Sequence, residues 1–388
     1  MRHVRIGTII IWHTRKTGLK NRKNTSERGI NTGKTKQKNV THGVKMMKNI
    51  RKSLLWIGLV GFALLVMASG CAVMKHQPEP DLETKILLNF FENERDYLHT
   101  GGSFVITAQN LRLDLLTRPD SLYLIDVRSP EDFAIGHIKG ATRVSERDVY
   151  NHMKSIDANA YDNIVLISCD GQSTAYLASL LRAAGYANVK SLKWGMSAWS
   201  YVFAEGAWLT RLGSQRIPEF VNTDSPPKNE PGPLPQIHTG MTDPEEILEA
   251  RLERLFAEGS ETVMISHDLL FSDLYSNGAY YIINYWPTEL YLEQGHIPGA
   301  INYPPGTQPF RSENDLLTLS TDKANVLYCF TGQTSAYVSG YLRLLGYDAR
   351  SLEFGANSMI FDRMEKNKVA NTFLRDTEIM NYEYVSGN

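Results

Sequence analysis

Three cysteines are the residues of this 388-residue chain best suited to chemistry, and each stands in a different setting. Cys169 and Cys329 each end a short apolar run, and each opens a Gly-containing turn into a helical pattern. A thiolate at such a turn faces backbone N–H groups and the positive end of the helix. Surroundings of that kind lower a thiol pKa from about 8.5 toward roughly 3.5–7.5. Sulfur chemistry is therefore the leading expectation. Cys71 instead closes a hydrophobic leader, in the run Val66-Met67-Ala68-Ser69-Gly70-Cys71.

The two turns differ in what surrounds the sulfur. After Cys329 come Phe330, Thr331, Gly332, Gln333 and Thr334, whose successive N–H groups can curl into an anion-binding nest. Gly332 permits close backbone approach, and the Thr334 hydroxyl can donate to the sulfur or cap the helix. After Cys169 come Asp170, Gly171, Gln172 and Ser173, in a turn one residue shorter. The Asp170 charge opposes both a thiolate and an anionic donor. Cys329 is thus the preferred nucleophile and Cys169 the secondary candidate. With no cation in the Cys329 turn, a persulfide or polysulfide on a small or protein thiol suits it better than thiosulfate. Phosphate chemistry is rejected, because no Arg follows Cys329 until Arg343 and phosphate would lack its bidentate clamp. The chemistry calls for no cofactor and no metal.

Positioning these turns requires a strand before each and a helix after it, and the chain carries that unit twice. Residues 122–128, 136–141 and 164–169 are matched by 280–284, 295–300 and 326–329. A repeat this long is a domain duplication. Leu177, Leu180, Leu181 and Ala184 lie at helical spacing, and Val338, Tyr341, Leu342 and Leu345 repeat it. Gly185 and Gly346 fall where a left-handed helix stop is wanted. Alternating strands and helices predict parallel sheets covered on both faces, an α/β fold. Leading helices are expected near 82–98 and 243–257, with Thr107 and Ser266 as caps of further short helices. The proline-rich stretch 205–242 is expected to be a linker with no core of its own. The resulting division is 82–204 and 243–365 for the domains and 366–388 for a C-terminal tail.

The residues that carry this pattern resemble the rhodanese family of sulfurtransferases. Asp126, Arg128, Glu131, Phe133 and Gly136-His137-Ile138-Lys139-Gly140-Ala141 match its first signature. Cys329-Phe330-Thr331-Gly332-Gln333-Thr334 fits its catalytic loop, and Trp194-Gly195-Met196-Ser197-Ala198-Trp199 its closing turn. The resemblance implies two rhodanese-like domains that carry sulfane sulfur on a cysteine persulfide, with a small sulfur donor and a thiol acceptor as partners. Two departures stand out: the short Cys169 loop, and Asn284-Tyr285-Trp286 in place of Asp-x-Arg in the second copy. They sustain a second reading, a non-catalytic sulfur-binding or scaffolding protein of degenerate rhodanese domains. A redox pair of Cys169 and Cys329 would need Cα atoms within about 7 Å. His137, His296, Asp126 and Arg128 are expected to be structural.

Composition separates the ends of the chain. Residues 1–70 hold 15 Lys/Arg and one acid, Glu27, which leaves 26 Lys/Arg against 41 Asp/Glu afterwards. That acidic balance is a poor match for nucleic acid. Lys48, Arg51 and Lys52 precede a 17-residue uncharged run, 54–70, in the order of a signal peptide. Its end resembles a bacterial lipobox, which implies a lipidated Cys71, a membrane tether over 71–81 and a place in the cell envelope. Ala72 after the cysteine points to the outer membrane, facing the periplasm. Met46 or Met47 would make an ordinary start for this leader at 46–70, and residues 1–45 read as a basic, disordered or untranslated extension.

Overall fold

The computed structural model describes residues 81–387. Among them, strands β1 (Val105–Ile106), β2 (Leu122–Asp126), β3 (Thr142–Arg143), β4 (Asn163–Ile167) and β5 (Val189–Leu192) form one sheet in the order β1-β5-β4-β2-β3. Strands β6 (Met264–Ile265), β7 (Tyr280–Asn284), β8 (Ile301–Asn302), β9 (Ala324–Tyr328) and β10 (Ala349–Leu352) repeat that order as β6-β10-β9-β7-β8. Every pairing in both sheets is parallel. The central strands are continuous apolar runs because both faces are covered, and all of β4 is buried. Register repeats as well: Ile125 lies opposite Leu166 and Ile283 opposite Leu327. The expected fold class is therefore the observed one, two α/β domains with parallel sheets flanked by helices.

The four longest helices among the described residues are α1 (Leu82–Asn93), α2 (Gln172–Ala183), α3 (Pro244–Glu258) and α4 (Gln333–Leu344). Helices α2 and α4 follow the cysteine turns. Each begins after a left-handed glycine, Gly171 at φ 84° and Gly332 at φ 76°, and is closed by another, Gly185 at 104° and Gly346 at 93°. The spacing predicts one apolar face per helix, yet 11 of the 12 residues of α2 are buried. The reason is that α2 and α4 pack against each other across the domain boundary as well as on their own sheets. Gly340 permits that approach, since an added Cβ would stand 2.7 Å from Cβ and Oγ of Ser179. Thr107 and Ser266 cap their helices as expected, accepting from the Asn110 and Leu269 amides.

The ends of the described chain cross between domains. Helix α1 leads the first copy but packs on the second, where the Phe91 and Tyr341 rings lie 5.5 Å apart and Asp96 pairs with Arg311. Residues 374–387, expected as a tail, return to the first domain. Met380 N donates to Ala198 O at 2.9 Å and Tyr382 N to Trp199 O at 2.8 Å, and Val385 pairs antiparallel with His137. The stretch 205–242 also contributes buried side chains, Trp208, Phe220, Leu234 and Ile237. One hydrophobic cluster runs through both domains, including Leu180, Leu255 and Leu342.

Candidate functional site

The Cys169 loop is held from beneath by backbone hydrogen bonds that its sequence makes possible. Ser168 Oγ accepts from Gly171 N at 2.9 Å, and Asp170 accepts from Gln172 N at 2.8 Å and from Gln172 Nε2 at 3.0 Å. The closing turn takes up the loop carbonyls: Met196 N donates to Ser168 O, and Ser197 Oγ to Cys169 O at 3.0 Å. Gly195, at φ 59°, is required there because a side chain would overlap Ser168 O and press on Asp170 N. From the expected linker, Trp208 Nε1 donates to Asp170 O at 3.0 Å.

Above this loop lies a cavity of about 410 Å³, and Cys169 is exposed to it. Arg128, Asp132, Glu146, Asp170 and Arg211 line it from the first domain and the stretch that follows, and Met264, Glu353 and Phe354 from the second. Arg128 is already committed. It forms a bidentate pair with Asp126, with Nε–Oδ1 2.9 Å and Nη2–Oδ2 2.6 Å, and also donates to Gly136 O. Partial withdrawal from water pushes the Cys169 thiol up to about 12, with the negative charges of Asp132 and Asp170 adding to the effect and Arg128 opposing it. Burial likewise raises the Glu146 carboxyl, with Glu261 and Asp170 adding repulsion, and raises Asp170, with Glu353 adding.

Cys329 is set differently. It is only 4% exposed. Its sulfur lies 3.4 Å from Ser335 N, 3.5 Å from Ser335 Oγ and 3.7 Å from Thr331 Oγ1. Thr331 Oγ1 also accepts from Gln333 N at 3.0 Å, so the hydroxyls near the sulfur are those of Thr331 and Ser335 rather than that expected of Thr334. Phe330 stacks on Trp286 with centroids 4.4 Å apart and planes 7° from parallel. Trp286 stands at the place of Arg128 in the first copy, and it is fully buried. The loss of Asp-x-Arg thus leaves the second domain with an aromatic pair beside its sulfur. The two cysteines thus differ in access: Cys329, the preferred candidate of the sequence, is buried, whereas Cys169, the secondary one, is exposed.

Gln172 and Gln333, expected to shape the two sulfur pockets, also join the domains, and Gln172 lines the Cys169 cavity as well. Gln172 Oε1 accepts from Phe354 N at 2.6 Å, and Gln333 Oε1 from Trp194 N at 3.4 Å. The glycine of each loop makes room for the other loop's glutamine: a side chain at Gly171 would overlap Gln333, and one at Gly332 would overlap Gln172. Ser173 lines the Cys169 cavity. Both described cysteines are free thiols. His137 and His296 are in packing roles, stacked on Phe133 at 3.6 Å and on Tyr291 at 3.7 Å. Glu146, Arg211 and Glu353 escaped the sequence reading because none lies in a signature. The one available signal was that Glu353 occupies the position of Lys193 in the first copy, just before the closing turn. Cys71 and the rest of the leader lie outside the described residues.

The model of the rhodanese-like domain matches this chain twice, over residues 109–201 and 268–359. Thiosulfate sulfurtransferase GlpE of Pseudoalteromonas translucida is 30% identical over 94 residues, covering 24% of this chain and 86% of that protein. The GlpE of Pseudomonas entomophila is 29% identical over 85 residues, covering 22% and 76%. Among solved structures, thiosulfate sulfurtransferase from Pseudomonas aeruginosa covers 80% of this chain and 49% of its own, at 14% identity and a TM-score of 0.27. Both copies carry the rhodanese-like domain, in tandem, and these curated relatives are sulfurtransferases. This chain belongs to the rhodanese-like family.

Proposed function

We propose that this protein is a sulfurtransferase that carries sulfane sulfur on Cys169. The observation that supports this most directly is that Cys169 opens onto a cavity while Cys329 is closed in. In the first half-reaction the Cys169 sulfur attacks the outer sulfur of a donor R–S–SH. The donor S–S bond breaks, its electron pair leaves on the inner sulfur, and the Cys169 proton passes to that leaving group. The products are Cys169–S–SH and R–SH. An acceptor thiol repeats the exchange and restores Cys169–SH, so no outside oxidant is consumed. The cavity volume is within the range of small-molecule sites, about 300–1,000 Å³.

Incubation of the full chain with thiosulfate, 3-mercaptopyruvate or glutathione persulfide, followed by intact mass, tests the assignment. A gain of one sulfur atom that Cys329→Ala keeps and Cys169→Ala abolishes is the expected result. The reverse pattern would move the chemistry to Cys329. No gain from any donor would favour the scaffolding alternative.

The same reading places the domains on the cell envelope through a lipidated Cys71, supported by the basic, apolar and small-residue order before it. Among the described residues no helix is long and apolar enough to cross a membrane. Cys71→Ser should shift the protein from the membrane to the soluble fraction on cell fractionation, and unchanged sedimentation would remove the anchor.

A further inference from the structure

The charges around Cys169 are unbalanced in a way that bears on what the cavity accepts. Asp132, Glu146, Asp170 and Glu353 all line it. Among the described residues none of the four has an ion-pair partner, although Asp126, Asp96, Glu249 and Glu258 elsewhere in the same fold are paired with Arg or Lys. Asp132 accepts from Ser129, Glu146 from Ser260 and Asp170 from Gln172, all neutral donors. The Glu353 carboxylate has no hydrogen-bond partner among the described residues. Arg128 is neutralised by Asp126. Arg211 is the remaining cation on the wall, 5.8 Å from the Phe354 ring centroid and in no ion pair among the described residues. Four carboxylates against one uncommitted guanidinium leave the wall with an excess of acidic groups, and a cationic ligand would recover part of the free energy this costs.

Resting on the reading of Cys169 as the sulfur carrier, we infer that its cavity takes sulfur compounds bearing an ammonium group, such as an aminothiol persulfide, and that Glu353 of the second domain is a specificity-determining residue. Among the described residues no three His, Cys, Asp or Glu side chains are grouped to hold a metal ion. The negative charge is instead spread along the wall, which suits an organic cation whose sulfur reaches Cys169 while its ammonium lies against the carboxylates. A dianion such as thiosulfate meets repulsion from the same groups. Glu353 reaches the cavity because the closing turn of the second domain is held against the first loop by the Gln172–Phe354 hydrogen bond.

Two measurements on the Cys329→Ala chain test this. The first is the rate at which Cys169 reacts with trimethylammonioethyl and with sulfonatoethyl methanethiosulfonate, followed by peptide mass and normalised to a small free thiol. Each reaction forms a disulfide and releases methanesulfinate, so it reads charge at the sulfur without any transfer activity. The cation should be favoured by about tenfold, and Glu353→Gln or Asp132→Asn should shrink that ratio by about threefold. A ratio no higher than that of the free thiol would overturn the inference. The second is sulfur loading by aminoethyl persulfide, hydroxyethyl persulfide and thiosulfate, expected in that descending order. Loading led by thiosulfate would overturn the charge selectivity while keeping Cys169 as carrier. No loading by any donor, with the cation preference intact, would defeat the transfer reading and support the charge reading.

Discussion

At the scale of single residues, the behaviour of Cys169 follows from its neighbours. A thiol pushed up to about 12 stays protonated at neutral pH, so its thiolate fraction keeps rising as pH rises toward that value. Alkylation of Cys169 by neutral iodoacetamide should therefore accelerate about tenfold per pH unit from pH 7 to 10, without the levelling near pH 9–10 of an ordinary thiol. Removing a negative charge favours the thiolate, so Asp132→Asn should speed alkylation at pH 8 by about three- to tenfold. A rate that levels off by about pH 9, or that is unmoved by Asp132→Asn, would contradict the electrostatic account. Cys329 poses a different problem, because its barrier is steric. Trp286→Ala deletes half of the Phe330 stack and should cost about 3–5 kcal/mol of stability. It should also expose Cys329 to labelling in the fraction that remains folded. Unchanged protection would mean that other side chains close the pocket.

The elements that matter most are the two helices behind the cysteine turns. Their strand–turn–helix context was legible, since the apolar runs, the loop glycines and the stop glycines all bear on neighbours in sequence. Their outer faces were not. Ser179 and Arg182 are polar residues of α2 but are buried, because α4 covers them: Ser179 lies against Gly340 and Arg182 donates to the Tyr337 hydroxyl. Gly340 of α4 looks like a helix weakness, whereas its missing side chain is what admits Ser179. Gly340→Ala should consequently destabilise the protein by about 1–3 kcal/mol through overpacking, despite the better helix propensity of alanine. Ser179→Gly in the same chain should recover part of that loss in a denaturant double-mutant cycle. Additive effects would show that the two positions do not meet.

The whole molecule behaves as two interlocked domains. Helix α1 lies on the second domain, the C-terminal segment lies on the first, and a shared hydrophobic cluster joins them. Unfolding should accordingly occur in one transition, with tryptophan fluorescence and far-ultraviolet circular dichroism coincident in denaturant. Two separated transitions would refute this. A chain ending at residue 373 loses the Glu378 bond to Trp194 Nε1 and the Glu383 carbonyl bond to Trp199 Nε1. It should melt lower, with red-shifted tryptophan emission. It should also lose sulfur loading at Cys169, because the Trp194 turn supports that loop.

Local pattern alone established the duplicated α/β fold, the two cysteine turns and the helix caps at Thr107 and Ser266. These depend on spacing along the chain, and spacing is printed in it. Which cysteine is open, and which charges surround it, required the folded molecule. Glu353 lines the Cys169 cavity although 184 positions separate them, and Trp286 closes on Phe330 from another part of the chain. Solvent access and electric field are summed over everything that comes near in space, whatever its distance along the chain, so no motif could carry them.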